Sequence, residues 1–382
     1  MSTFRSFIIV FMTLSFVSST VAGLARRPGY IPHDGQYIEV NKNNNATEWW
    51  WVQVGSPGKG DEGPASLHIT FYEGYPISAL REVAGGPDAP EFYIVINGAY
   101  PNGEVIAYTI PASSASVTYD GEAVNGQWSG AGKFHNAADL STFTVTLDAP
   151  DHGISGTLEI ISDGPGHFGC NSTTSPYFDT ILPAGTPLSA NEETFFKHLG
   201  WATSQPGGAA TVDVVLNGTA FSFAGKGYHD QNWMPRPVDA FLDDWYFLNA
   251  QAGPYDLSAV FAAITGSARD TSTGFLARDG VVLQNQCGLQ GSRDRDTLVL
   301  APWGAALDDA NGLTVMRGFI LDYTLANGDE YRFNVTGQSL ILDQAIYHRW
   351  VGSAVGGKVG GEQYTGVSQY DWLNPSLRPY NG

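Results

Sequence analysis

Thr142-Phe143-Thr144-Val145-Thr146-Leu147 alternates polar and apolar side chains without a break, the period of a strand with one face on a core and the other toward water. Working outward, Asn-Gly or Asp-Gly pairs recur at Asn97-Gly98, Asn102-Gly103, Asp120-Gly121, Asn125-Gly126, Asp279-Gly280 and Asn327-Gly328. These residues tolerate the positive φ of tight hairpin turns. The segments Asp322 to Leu325 and Tyr331 to Val335 flank the last pair and read as a hairpin. The clearest helical pattern is Ser189 to Leu199, where Ser189 is placed to cap and Glu192 stands three residues on. The chain is therefore predicted to be all-β, built from two packed sandwich or barrel units. The prolines of Met234-Pro235-Arg236-Pro237 suit a connection better than a central strand and put the boundary at about residues 220 to 240. We draw the division as 23–226 and 227–382.

Bulk properties narrow the function classes. At 382 residues and 43% hydrophobic, the chain can bury a substantial core. A net charge of -19 argues against nucleic acid or an anionic membrane as partner, since both call for an excess of Lys and Arg. Arg5, the apolar run Phe7 to Val17 and the small residues ending at Ala22 read as a signal peptide over residues 1–22. The run is too short to cross a bilayer, so no stable membrane insertion is expected and the chain is expected in the secretory pathway. In that oxidising route Cys170 and Cys287 are expected to pair, two buried free thiols being the alternative. Four acceptor sequons, at Asn45, Asn171, Asn217 and Asn334, share the expectation of surface exposure.

Chemistry-bearing residues cluster in four places. In Glu48-Trp49-Trp50-Trp51-Val52-Gln53-Val54, strand alternation puts Trp49 and Trp51 on one face and Glu48 and Trp50 on the other. Three consecutive indoles cannot all enter one small core, so at least one is expected to line a cavity or cover a surface. Gly227-Tyr228-His229-Asp230-Gln231-Asn232-Trp233 gathers a phenol, an imidazole, a carboxylate, two amides and an indole. It reads either as hydrogen-bond donors and acids converging on a pocket, or as a buried network at a domain junction. Trp245-Tyr246-Phe247 and Tyr347-His348-Arg349-Trp350 follow; in the latter, alternation pairs His348 with Trp350 and Tyr347 with Arg349. The glycine-rich Gly356 to Gly361 reads as a flexible loop beside the pocket. No His-x-x-x-His, Cys-x-x-Cys or Gly-x-Ser-x-Gly pattern occurs, which argues against a metal enzyme or a serine hydrolase.

On Glu48-Trp49-Trp50-Trp51, Gly227 to Trp233, His348-Arg349-Trp350 and Gly361-Glu362-Gln363-Tyr364-Thr365-Gly366, the chain resembles the fungal Diels-Alderases of the lipocalin-like superfamily that includes bacterial carotenoid 1,2-hydratases. The resemblance implies an N-terminal β-sandwich packed on a C-terminal lipocalin-like β-barrel, a pocket at their junction, no cofactor, and apolar polyketide or terpenoid small molecules as partners. Gln231, and Met234 after the tryptophan, depart from the hydratase branch. The leader favours the subgroup that joins a tropolone ortho-quinone methide to a humulene-type sesquiterpene by hetero-Diels-Alder reaction. Intramolecular decalin formation and a non-catalytic carrier of an apolar ligand are the alternatives. On this reading Tyr228, His229, Asn232 and Trp350 are the candidate catalytic residues. Glu48, Trp50, Trp233, Trp245, Phe247, His348, Arg349 and Tyr364 are the candidate substrate-binding residues. A cycloaddition needs no nucleophile or metal; confinement and a donor to a carbonyl suffice.

Overall fold

A computed structural model describes residues 31–60, 62–291, 296–308, 312–377 and 380; the leader expected over residues 1–22 lies outside them. Among the described residues the chain forms two antiparallel sheets. The first is built from β1 (Thr47–Ser56), β2 (Ala65–Glu73), β3 (Phe92–Ala99), β4 (Val105–Pro111), β5 (Ala115–Asp120), β6 (Ala123–Trp128), β7 (Gly132–Asn136), β8 (Thr142–Ala149), β9 (Ile154–Ser162), β10 (His167–Phe168), β11 (Gly200–Gln205), β12 (Gly208–Leu216) and β13 (Thr219–Met234). Its main path runs β4-β3-β2-β1-β13-β12-β9-β8-β7-β6-β5, with β11 also paired to β13. The sheet folds over on itself, so that Trp50, Phe71 and Ile94 from one half meet Trp128, Phe134 and Phe143 from the other in a sandwich core. In β8 the threonines lie outside and Phe143, Val145 and Leu147 are buried, as the alternation requires.

The second sheet comprises β14 (Leu242–Ala252), β15 (Tyr255–Ile264), β16 (Asp270–Arg278), β17 (Val281–Leu289), β18 (Thr297–Asp308), β19 (Leu313–Thr324), β20 (Glu330–Gln344), β21 (Tyr347–Lys358) and β22 (Tyr364–Leu373). Its order is β17-β16-β15-β14-β22-β21-β20-β19-β18, and β17 and β18 approach each other to give a nearly closed barrel. Leu248, Leu257, Phe319, Phe333, Trp350 and Tyr370 fill its interior. The Asn327-Gly328 hairpin forms as read, with Asp322 opposite Arg332 and Gly328 at φ 89°. The predicted helix is α2 (Ala190–His198), closed by a reciprocal capping box between Ser189 and Glu192. A shorter helix, α1 (Ser78–Val83), has no sequence signature and was not anticipated.

The boundary at 226/227 needs correction. Residues 227–234 continue β13 and pair with β1 in the first sheet, and the chain changes sheet between Met234 and Leu242, where the prolines lie. The glycine-rich segment is also more ordered than a loop: Gly356 and Gly357 belong to β21, at the end of the barrel where Tyr364 begins β22. All four sequon asparagines are exposed. Cys170, after β10, is bonded to Cys287 on β17, 117 residues away, and so staples the sandwich side to the barrel. A cross-link of that span mainly removes conformations from the unfolded chain. Cys170→Ser with Cys287→Ser is expected to lower stability by about 2 to 4 kcal/mol in chemical denaturation, with the sheets retained in far-ultraviolet circular dichroism.

Candidate active site

β1 and β13 run antiparallel with Trp49 opposite Asn232, Trp51 opposite Asp230 and Gln53 opposite Tyr228. Directly opposed residues share a face, so one face of this pair carries Trp49, Trp51, Asp230 and Asn232. That face meets the barrel. With Tyr72 and Met234 it forms one wall of a half-open cleft; Trp245, Phe247, Tyr347, Asp371 and Leu373 of the barrel form the other. Ile77 and Leu80, at the start of and within α1, cover one side. The cavity volume is about 90 Å³, and the cleft opens to solvent at its mouth. Its walls are mainly aromatic and aliphatic, with a few polar groups.

Asp230 is the most informative of those groups. It is 3% exposed. Its Oδ2 accepts hydrogen bonds from the Tyr228 hydroxyl at 2.7 Å and Trp201 Nε1 at 2.8 Å, and its Oδ1 accepts one from Asn232 Nδ2 at 3.1 Å. Burial disfavours the charged form and pushes the carboxyl up to about 6, although the donors from Tyr228 and Trp201, nearby His229 and Asn232 all pull the other way. Tyr228 is itself raised well above its ordinary value, first by burial and then by Asp230, so it stays a donor. With two donors already on Oδ2, the oxygen left to carry a proton is Oδ1. Asp230 and its Oδ1 partner Asn232 line the cleft, whereas Tyr228 and Trp201 do not.

On the barrel wall the polar groups are organised by Arg349. Its Nε donates to Asp371 Oδ1 at 2.8 Å, and its Nη2 donates to Asp371 Oδ2 at 3.1 Å and to the Tyr347 hydroxyl at 2.6 Å. Nη1 reaches across the interface to Asn97 Oδ1 at 3.2 Å, and the guanidinium lies 3.9 Å from the centre of the Trp51 ring. Burial alone would lower the guanidinium's proton affinity; Asp371 and Tyr347 outweigh it and hold Arg349 above its usual value. The Tyr347 hydroxyl donates in turn to Asp371 Oδ2 at 2.5 Å.

The structure divides the residues expected in the pocket. Asn232, Trp245 and Phe247 line the cleft, and Tyr228 stands one step behind through Asp230. Alternation takes His229 to the opposite face, where Nε2 meets Asp34 Oδ2 at 3.0 Å, Nδ1 meets the Trp51 carbonyl at 2.6 Å and the ring stacks on Phe143. Glu48, Trp50 and Trp233 share that face. Glu48 accepts from the Tyr37 and Ile38 amides, Trp50 Nε1 donates to the Asp34 carbonyl, and Trp233 stacks on Tyr37. Gly200 makes room for that indole, since a Cβ there would fall 2.0 Å from it. His348 and Trp350 point into the barrel and stack on each other. Arg349 faces the interface but lies behind Asp371 and Tyr347, which it positions. Tyr364 begins β22 seven residues before Asp371, about 20 Å along the strand, and bonds to Glu362.

Trp49, Trp51, Tyr72, Tyr347 and Asp371 were not among the candidates, nor was Asp230 chosen over its neighbour His229. Alternation from the indoles was the available signal, because the register that sets Trp51 opposite Asp230 selects the odd-numbered indoles and the even-numbered polar residues together.

This geometry can be set beside known proteins. A family model described as Diels-Alderase-like matches residues 40–374. The chain belongs to the Diels-Alderase-like family. The quinolone epoxide rearrangement protein of Penicillium thymicola is 27% identical over 345 residues, covering 88% of each chain. A Diels-Alderase of Pyricularia oryzae is 24% identical, covering 85% of this chain and 81% of its own. In fold, the crystal structure of CghA superposes with a TM-score of 0.63 at 22% identity, covering 86% of this chain and 88% of CghA. A putative AttH of Nitrosomonas europaea superposes at 0.55 with 13% identity, covering 89% and 99%. The Diels-Alderase-like match begins before β1 and ends just after β22, so it spans both walls of the cleft.

His229 and Asp230 are adjacent but belong to different parts of the protein. His229→Ala leaves Asp34 buried without its ring partner and is expected to cost about 3 to 5 kcal/mol in urea denaturation.

Proposed function

We propose that the protein is an enzyme of secondary metabolism that uses Asp230 in its protonated form to rearrange or cyclise an apolar, oxygen-bearing substrate. The observation that carries this reading is a carboxyl raised to about 6, held by fixed donors on one oxygen and placed at the wall of an aromatic cleft. Such a group is an acid poised near working pH. Two relatives that cover most of this chain, from Penicillium thymicola and Emericella nidulans, are quinolone epoxide rearrangement proteins, which makes an epoxide the substrate group we favour. Opening an epoxide requires a proton on the departing oxygen. Asp230 gives it as the C–O bond breaks, the indole faces of the cleft stabilise the positive charge on carbon, and a bond shift quenches it. The proton then returns from the product to Asp230, so the step is an isomerisation with no net consumption.

A cycloaddition is the second reading, supported by Diels-Alderase relatives and by aromatic walls on both sides of the cleft. There Asp230 or Asn232 would donate to a carbonyl of the electron-poor partner, and the walls would hold the two reacting segments in register. The specific form expected from the sequence, a tropolone ortho-quinone methide joined to a humulene-type sesquiterpene, uses the same acid to expel water from a hydroxymethyl precursor. We also propose passage through the secretory route; the Cys170–Cys287 bond and the four exposed sequons support it.

Purified protein given a quinolone epoxide, a hydroxymethyl tropolone with humulene, or a linear polyene in separate assays is expected to convert the epoxide fastest. Faster conversion of either other substrate with product enantiomeric excess selects the cycloaddition reading; background rates with all three would sink the enzyme reading. Asp230→Asn, which keeps the shape and removes the acid, is expected to lower kcat by about 100-fold or more. The acid form is the active one, so kcat should fall as pH rises through about 6. Tyr228→Phe removes a donor that favours the carboxylate and should move that limb to higher pH.

A further inference from the structure

The two walls of the cleft differ in the hydrogen bonds that their polar groups leave unspent. On the sandwich wall, protonated Asp230 offers a proton from Oδ1. Asn232 uses one amide hydrogen on that carboxyl and has a second. On the barrel wall the situation is reversed. The Tyr347 proton is committed to Asp371, and Arg349 spends Nε and Nη2 on Asp371 and Tyr347. What Asp371 and Tyr347 retain is acceptor capacity. A carboxylate has about four lone-pair sites; Asp371 Oδ2 has two well-formed partners, whereas Oδ1 has Arg349 Nε at 2.8 Å and only a long contact from Gln369 Nε2 at 3.5 Å. Asp371 is 4% exposed, and both it and Tyr347 reach the cleft.

We infer that Asp371 is a specificity-determining residue: it selects substrates that carry an N–H or O–H donor on the side of the molecule away from the group that meets Asp230. The deduction rests on the proposed reaction site but not on the reaction itself. Arg349 fixes the Asp371 carboxyl group through two hydrogen bonds, and desolvation makes a missing donor costly, because a substrate bringing an acceptor or a carbon there would leave buried lone pairs unpaired. A lactam N–H flanked by aromatic surface is the chemical class that fits: its flat ring enters between the aromatic walls and its edge presents the donor. A substrate lacking any such donor, including a purely hydrocarbon partner, is disfavoured at this wall.

Quinolin-2(1H)-one and chromen-2-one form a test pair, since they share shape and carbonyl and differ by N–H against ring oxygen. Binding is read from quenching of the cleft tryptophans in the full-length protein, with the proton chemical shift of ¹⁵N-labelled quinolinone as a second measurement. Wild type is expected to bind the quinolinone at least tenfold more tightly, and its N–H proton to move downfield on binding. Asp371→Asn, checked by thermal melting, is expected to reduce the preference to within about twofold. Asp230→Asn should keep the preference while losing turnover of the epoxide, so that loss of the acid reading and loss of this one are separable. Equal affinity for the two probes in wild type, or an undiminished preference in folded Asp371→Asn, overturns the assignment. If Asp371→Asn does not fold, equal affinity or an unshifted N–H in wild type still overturns it, and a tenfold preference with a downfield shift supports it.

Discussion

Arg349 is a full charge with 2% exposure between two sheets, and the arrangement of the interface follows from the need to satisfy it. A guanidinium in that position requires a carboxylate and most of its five N–H groups engaged. Asp371 and Tyr347 come from its own barrel, while Asn97 and the face of Trp51 come from the sandwich. The charge therefore fixes how the sandwich and barrel meet, and its partners Asp371, Tyr347 and Trp51 are the residues that line the cleft beside it. Buried ion pairs add little net stability compared with apolar packing, but they penalise alternative alignments heavily. Further polar contacts, from Gln53 to Asn249 and from Gln251 to the Gly227 carbonyl, hold the same alignment along the interface.

Two carboxyls in one cleft are thereby given different chemistry. Asp371 has the Arg349 guanidinium against it in an ion pair. Asp230 has neutral donors and a buried setting, and the desolvation penalty outweighs those donors. No residue identity distinguishes them; the difference is whether a cation was brought into the same low-dielectric space. An acid on one wall and an acceptor on the other also gives the cleft a direction, which an apolar slot of the same shape would lack.

The segment Gly227 to Trp233 shows how one strand serves two purposes. Its even-numbered residues build the acid, and its odd-numbered residues build a network around the buried Asp34, whose carboxyl His229, Ser204 and Asn136 all engage. Burial would raise that carboxyl; the imidazole and the Ser204 hydroxyl hold it below its ordinary range. The network ties the segment preceding β1 to the inside of the sandwich, giving β13 the rigid backing that a positioned acid requires.

The alternation of Thr142 to Leu147, the turn at Asn327-Gly328 and the capping box at Ser189 were legible because strand period, turn φ and helix caps are local properties of a few neighbouring residues. The same locality allowed the sequence to pair Trp49 with Trp51, and His348 with Trp350, on common faces. It could not say which face of β13 met the barrel, and so the imidazole, an acid by its chemistry, was preferred to the carboxyl beside it. Nor could it place Asp371 against Arg349 or lift Asp230 toward 6, because these depend on which residues strand register sets opposite each other and on burial between the two sheets. Sequence by itself determined the strands, their faces and the aromatic and polar inventory. Tertiary packing decided which face became the site, since desolvation and long-range pairing exist only once both sheets have closed over the same residues.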